Sequence, residues 1–148
     1  MRAVVQRVKK AEVTINGEVA GSIGRGLMIL LGVECGDTEK DAGYIVKKCL
    51  NLRIFRDEND KMNLSVLDTG GSILLISQFT LLGDAKKGNR PSFIEAEIPE
   101  KAIPLYEFTI AEMRKQIRVE TGVFGADMDV SLVNEGPVTI LLDSRKTF

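Results

Sequence analysis

The chain contains no histidine. That absence removes Ser-His-Asp and Cys-His catalysis, the imidazole general base and any histidine-rich metal site. Chemistry is left to carboxylates, hydroxyls, amides, the backbone, or the substrate itself. Cysteine is nearly as scarce. Cys35 and Cys49 are too few for a disulfide scaffold, and Cys49 falls on the apolar face of a predicted helix, where buried packing is the better reading. No apolar run reaches the roughly 18 residues a membrane span needs. The opening MRAVVQRVKK lacks an apolar signal core followed by a small-residue cleavage site. Together these absences point to the cytoplasm and away from a membrane.

An excess of either charge is also missing, since 20 Lys and Arg face 21 Asp and Glu. What remains is an ordinary globular composition, 148 residues with 44% hydrophobic and 28% charged. That length fits one domain over residues 1–148 with a single core. No internal repeat, linker or low-complexity segment divides it.

Residues 3–8 and 11–15 carry β-branched residues in near alternation, and Asn16-Gly17 supplies a tight turn. Glu18 to Ile23 returns as the partner strand. After Gly24-Arg25-Gly26, the run Leu27-Met28-Ile29-Leu30-Leu31 suits a buried central strand. From Thr38 the period changes. Thr38 with Asp41 makes a weak capping box, and Ala42, Ile45, Val46, Cys49 and Leu50 predict an amphipathic helix over 39–52. Asp57 to Asp60 reads as a polar turn, and Ser72 to Leu82 as a second buried strand. Residues 83–92 are a polar loop. A second helix is expected over roughly 100–118, with Pro104 a disturbance beyond its opening turns. Val130 to Val133 and Val138 to Leu142 are two last strands. The sum is an α+β domain, a mostly antiparallel or mixed, barrel-like sheet with two packed helices.

Periodicity does not locate a site, but particular segments offer one. Ser77-Gln78-Phe79-Thr80 ends an apolar strand before a glycine-containing loop, a common position for function; the alternative is a strand end with no role. Asn134-Glu135-Gly136-Pro137-Val138-Thr139 reads on its own as a hairpin turn. Lys86, Lys87 and Arg90 share one loop and suit phosphates, or are simply solvated.

Taken in order, several strings in this chain resemble one family. They are Met1-Arg2-Ala3-Val4-Val5-Gln6-Arg7-Val8, Gly24-Arg25-Gly26-Leu27, Leu52-Arg53-Ile54-Phe55, Lys61-Met62-Asn63-Leu64-Ser65 and Ser77-Gln78-Phe79-Thr80-Leu81. Lys87-Gly88-Asn89-Arg90-Pro91-Ser92-Phe93, Gly122-Val123-Phe124-Gly125-Ala126-Asp127-Met128 and Asn134-Glu135-Gly136-Pro137-Val138-Thr139 complete the set. The chain resembles the bacterial D-aminoacyl-tRNA deacylases over essentially its whole length. Its departures are Glu135, where the family usually has Asp, and Gly83, where it often has Ala.

The resemblance implies hydrolysis of the D-aminoacyl-tRNA ester by a homodimer, with no cofactor and no metal. It implies a cis Gly136-Pro137 bond whose carbonyls reach the partner subunit's site and exclude L side chains. Glycyl-tRNA, with no side chain to exclude, is then a second substrate. Ser77, Gln78, Phe79 and Thr80 are implied as the catalytic wall, with N–H groups around Phe79 and Thr80 facing the oxyanion. Arg7 is expected to brace the Gly136-Pro137 segment through its carbonyls. Phe124 and Met128 line an adenosine pocket or are plain core residues. Thr80 is either a nucleophile or a residue that fixes the backbone. Lacking a histidine to activate it, the second role is preferred, with a neighbouring ribose hydroxyl assisting the attack of water.

A net charge of -1 suits an enzyme that grips only the single-stranded 3′ end of aminoacyl-tRNA, through Lys86, Lys87 and Arg90, and does not suit DNA. Two rivals stay open: a non-catalytic tRNA-binding or editing-accessory module, and a homodimer that binds a small metabolite.

Overall fold

The computed structural model describes residues 1–148. The chain opens with a long strand β1 (Arg2–Ile15), turns at Asn16-Gly17 into β2 (Glu18–Ile23), and continues into β3 (Gly26–Gly32). Helix α1 (Glu39–Asn51) follows, then a small ribbon of β4 (Phe55–Arg56) and β5 (Met62–Leu64), and a one-turn helix α2 (Val66–Thr69). Strand β6 (Ser72–Ser77) leads into a 3₁₀ turn at Phe79–Leu82. Helix α3 (Pro99–Arg114), β7 (Val119–Thr121) and β8 (Asp129–Asp143) complete the fold.

The main sheet is mixed. β1 pairs antiparallel with β3, β2 and β8, whereas β6 runs parallel to both β3 and β7. Its order, β2-β1-β3-β6-β7, brings the two ends round toward each other. A methyl at Gly21 of β2 would lie 2.7 Å from the Thr121 carbonyl of β7, and Arg118 donates to the Ser22 carbonyl at 3.1 Å. The expected α+β, barrel-like architecture is therefore present.

Alternation along the strands divides the interior. In β6, Ile73 and Leu75 join a large cluster with Ala42, Ile45, Cys49 and Leu50 of α1 and Ala102, Tyr106 and Met113 of α3. Leu74 and Ile76 face the other way, into a smaller cluster with Val8, Val13, Ile23 and Met28. Because both faces of β6 are covered, its side chains read as a continuous apolar run.

Helix α1 forms as expected. The Asp41 carboxylate accepts from the Thr38 N–H at 2.9 Å and its hydroxyl at 3.1 Å, and the five apolar positions read from the sequence are its buried face. Four expectations need correction. The second buried strand stops at Ser77, because the Gln78 N–H makes the last bond to β3, at 2.8 Å to Leu31 O, before the chain coils. A third helix, α2, is capped by Ser65 and Asp68 (2.8 and 3.2 Å) and stopped by left-handed Gly70; four residues are too few to show a period. Helix α3 ends at Arg114, and the expected tail to 118 becomes the approach to β7. The two expected final strands are one, β8, which stays paired to β1 through Asn134 by two register shifts.

Candidate active site

Two clefts contain most of the predicted site residues. The first lies where β6 ends. Gly32 of β3 makes room for the coil that follows, since a methyl there would sit 2.6 Å from Leu82 and 2.9 Å from the Gln78 carbonyl. The Phe79–Leu82 turn then closes with Gly83 N–H donating to Thr80 O at 2.9 Å. Its first two amides, Phe79 N–H and Thr80 N–H, lie ahead of any carbonyl the turn could offer and donate to no other group.

Opposite this turn stands the Phe124–Met128 segment. Gly122 lets it fold over, because a methyl there would meet Met128 Sδ at 2.4 Å. Between the two walls is a cleft of about 290 Å³ lined by Ser77, Gln78 and Phe79 on one side and Phe124 to Met128 on the other, with Ile76 and Val130 beneath. The cleft is the mouth of the smaller core, since Ile76 belongs to it and Met128 packs against it.

Phe124 is also packed on the main core, 5.8 Å from the Tyr106 ring, so it is a core residue that lines the cleft as well. Tyr106 is buried and donates to Leu75 O at 2.8 Å. Burial pushes its hydroxyl up to about 12, which keeps it a donor and fixes the floor behind Phe124. Phe79 is 55% exposed and meets Phe93 edge-on at 5.2 Å. The Thr80 hydroxyl accepts from the Gln78 side-chain amide. None of the side-chain hydrogen bonds or ion pairs connects it to a lysine, arginine or carboxylate, so nothing on the chain stands ready to take its proton.

The second cleft, about 370 Å³, is lined by Arg7, Lys9, Arg25, Arg56 and the Val133–Gly136 stretch. The Gly136-Pro137 peptide is cis, and Gly136 has φ +123. Arg7 lies beneath, 3% exposed. It donates to Ile54 O at 2.6 Å and to Glu135 O at 3.2 Å, and pairs with the Glu135 carboxylate at 3.5 Å. Bonds from a charged donor are worth about 1.5–3 kcal/mol each, so Arg7 holds this turn firmly. The expected contacts were with the Gly136 and Pro137 carbonyls. Arg7 instead takes the carbonyl just before them, which leaves the Gly136 and Pro137 carbonyls without its guanidinium.

The fold does not bring the two clefts together within one chain. Ser77 lies in register with Leu31 and, through it, with Ala3, whereas Gly136 sits at the register shift beside Arg7. Four positions along β1 amount to about 13 Å, with the lateral spacing of the strands added. Thr80 and Pro137 flank their clefts without lining them.

Residues 4–143 match the family described as D-Tyr-tRNA(Tyr) deacylase. The chain belongs to that family. It is similar to the D-aminoacyl-tRNA deacylases of Kosmotoga olearia (60% identical over 148 residues, all of both chains) and Koribacter versatilis (59% over 149, all of both). The Thermus aquaticus D-aminoacyl-tRNA deacylase is 56% identical over 147 residues, 99% of this chain and 97% of that one. Among solved structures, one named c-Myc DNA Unwinding Element Binding Protein matches with TM-score 0.92 at 46% identity, over 97% of this chain and 98% of that one. A probable eukaryotic D-amino acid tRNA deacylase matches at 0.82 over 96% and 98%, and at 19% identity that likeness concerns the fold alone. The chain is thus a D-aminoacyl-tRNA deacylase, an ester hydrolase.

In this deacylase the loop expected to meet phosphates is closed at its base, where Asp84 and Ser92 exchange two 2.8 Å backbone bonds. Lys86 there is 3.9 Å from Asp84, so part of its charge is answered internally. Lys87 and Arg90 are exposed on the same loop. Tyr106 and Arg25 are the contributors the sequence reading missed. Tyr106 sits in an ordinary helical pattern, and only Arg25, inside Gly24-Arg25-Gly26, carried any signal. No helix is long and apolar enough to cross a membrane.

Proposed function

We propose that the Ser77–Phe79 and Phe124–Met128 cleft holds the terminal aminoacyl-adenosine, and that Gly136-Pro137 of a second copy closes it. The observation that carries this reading is the pair of unpartnered amides at Phe79 and Thr80, placed at the rim of a half-apolar cleft. Aimed at the ester carbonyl, they stabilise the oxyanion, and donors of this kind contribute about 10²–10³ in rate. Phe124 and Met128 take the adenine, Gln78 orients water or the ester carbonyl, and Lys86, Lys87 and Arg90 meet the phosphates of the 3′ end.

Chirality is then read by exclusion. The Gly136 and Pro137 carbonyls, fixed from below by Arg7 through Glu135, form a wall beside the α-carbon. Hydrogen or a D-configured centre fits, and an L side chain collides. Attraction to one extra group yields only about 1–3 kcal/mol, so rejection is the stronger filter. Water attacks with help from the neighbouring ribose hydroxyl, whose enforced proximity replaces a protein base.

Incubating the protein separately with D-tyrosyl-, glycyl- and L-tyrosyl-tRNA, and following ester loss, tests the reading. The first two esters should disappear while the third persists. Equal loss of D and L esters would overturn the filter, and tRNA binding without any ester loss would favour an accessory binding module. The 46% identical structure named for a DNA element makes a DNA duplex a useful competitor. It should leave hydrolysis of the D-tyrosyl ester of adenosine unaffected, because the cleft is read as taking a single-stranded aminoacylated end that a duplex does not present.

A further inference from the structure

Some of the exposed cations are answered by carboxylates, whereas others such as Lys9, Lys10, Lys61 and Lys101 stand unpaired and scattered over the surface. Arg56, Lys86, Lys115, Arg118 and Arg145 all lie in ion pairs. Around α1 the unpaired cations are gathered together. Lys40, Lys47, Lys48, Arg53 and Lys146 are exposed and take part in none of the ion pairs. The Arg53 charge is felt at Asp68, whose carboxyl is held low first by the Ser65 backbone and side chain, but no direct contact forms.

The helix arranges this charge on one face. Lys40, Tyr44, Lys47, Lys48 and Asn51 are spaced so that a 3.6-residue period gathers them on one side, opposite the buried Ala42, Ile45, Cys49 and Leu50. Of the two acids in the first turn of the helix, Asp41 is engaged by Thr38, and Glu39 lies beside Lys40 at the opposite end from Lys47 and Lys48. Lys48 and Lys146 place their ammonium groups 5.8 and 5.9 Å from the Tyr44 ring. Beside that ring runs a groove of about 380 Å³ lined by Tyr44, Lys47, Lys48, Asn51, Leu52 and Arg53.

The segment just after this face is tied to the Gly136-Pro137 turn. Arg53 precedes Ile54, whose carbonyl is bound by Arg7, and Arg7 also binds the Glu135 carbonyl. The chain leaving α1, at Ile54, and the turn, at Glu135, are therefore held by one guanidinium.

We propose that the α1 face is a second contact for the RNA, gripping the sugar-phosphate backbone of the tRNA body while the 3′ end occupies the cleft. The inference rests on the proposed site, because the turn that closes a partner's cleft would carry this face to its entrance. Lysines act as point charges on phosphate and carry little sequence information, which suits a surface that must accept many tRNAs. A lipid headgroup surface fits less well. The apolar side of α1 is consumed by the core, and the groove offers Tyr44 and Leu52 alone as apolar anchors.

The test compares a Lys47→Ala, Lys48→Ala double variant with wild type on D-tyrosyl-tRNA and on the D-tyrosyl ester of adenosine, which has no RNA body. Alanine keeps an exposed helical position well formed. KM for the tRNA should rise about tenfold with kcat retained, and the salt slope of log KM should shrink by about two, one per lost phosphate contact. The adenosine ester should be hydrolysed as by wild type, and Lys47→Arg with Lys48→Arg should restore the tRNA KM. Unchanged KM and slope, or an equal loss on both substrates, would overturn the proposal. Binding of uncharged tRNA, measured by fluorescence anisotropy, keeps the two readings separate. A wild type that binds tRNA more tightly than the variant but hydrolyses neither ester sinks the proposed site and leaves the RNA surface standing. Retention on phosphatidylserine vesicles, with no difference in tRNA binding, would replace RNA by a membrane and refute it.

Discussion

A Gly136→Ala variant should lose most of its preference for the D ester, its D-to-L ratio of kcat/KM falling about 100-fold, the scale on which a displacement of roughly 1 Å is felt in a site. Two features of Gly136 produce this. Its φ of +123 is a conformation L side chains rarely adopt, and a methyl there would lie 2.9 Å from Arg7 Nη2 and 3.0 Å from Val138 Cγ2. Arg7 cannot easily give way, because it is buried and bonded to Ile54 O and Glu135 O. The carbonyl wall must move instead. D-tyrosyl- and L-tyrosyl-tRNA hydrolysis, measured beside a urea melt, separates displacement from unfolding. A folded variant with lower rates but an unchanged D-to-L ratio would show that chirality is sensed elsewhere.

The second large effect concerns where the chemistry resides. Thr80→Ala should keep activity within about tenfold of wild type, the loss of one modest hydrogen bond. Substituting 2′-deoxyadenosine at the tRNA terminus, with the amino acid on the 3′ oxygen, should slow hydrolysis about a thousandfold, or about 4 kcal/mol. The asymmetry follows from the surroundings. The Thr80 hydroxyl hydrogen-bonds only with the Gln78 amide and the chain has no histidine, whereas the ribose hydroxyl comes with the substrate. Single-turnover rates for the four combinations of enzyme and substrate decide it. A Thr80→Ala loss of 10⁴ or more, with the deoxy substrate nearly normal, would make Thr80 the nucleophile.

What the sequence disclosed depended on how local each signal was. The face of α1 and its Thr38-Asp41 cap involve residues a few positions apart, and both could be read directly. The end of β6 could not, because Leu81 and Leu82 prolong the apolar run past the point where pairing with Leu31 stops. Leu82 is buried all the same, from a 3₁₀ turn. Asn134 to Pro137 look like a hairpin turn, yet β8 runs straight through because shifts opposite Gln6, Val8 and Lys10 absorb the irregularity. Only a partner strand some 130 residues away makes that possible. The site residues were recognisable as motifs, but their distribution between two clefts depends on long-range register. So does the choice of Arg7 for the Glu135 carbonyl.

That separation makes a shared site the claim to test first, and subunit mixing tests it. Gly136→Trp, whose side chain would plug the cleft the turn closes, and a cleft-filling Ala126→Trp should each be nearly inactive alone on D-tyrosyl-tRNA. After the two are mixed and allowed to exchange subunits, half the dimers are mixed, each holding one undamaged site and one doubly damaged site. Activity should return to about a quarter of wild type if each site draws on both copies in a two-fold dimer. If exchange is demonstrated and activity stays at the level of the separate variants, each chain works alone and the account is wrong.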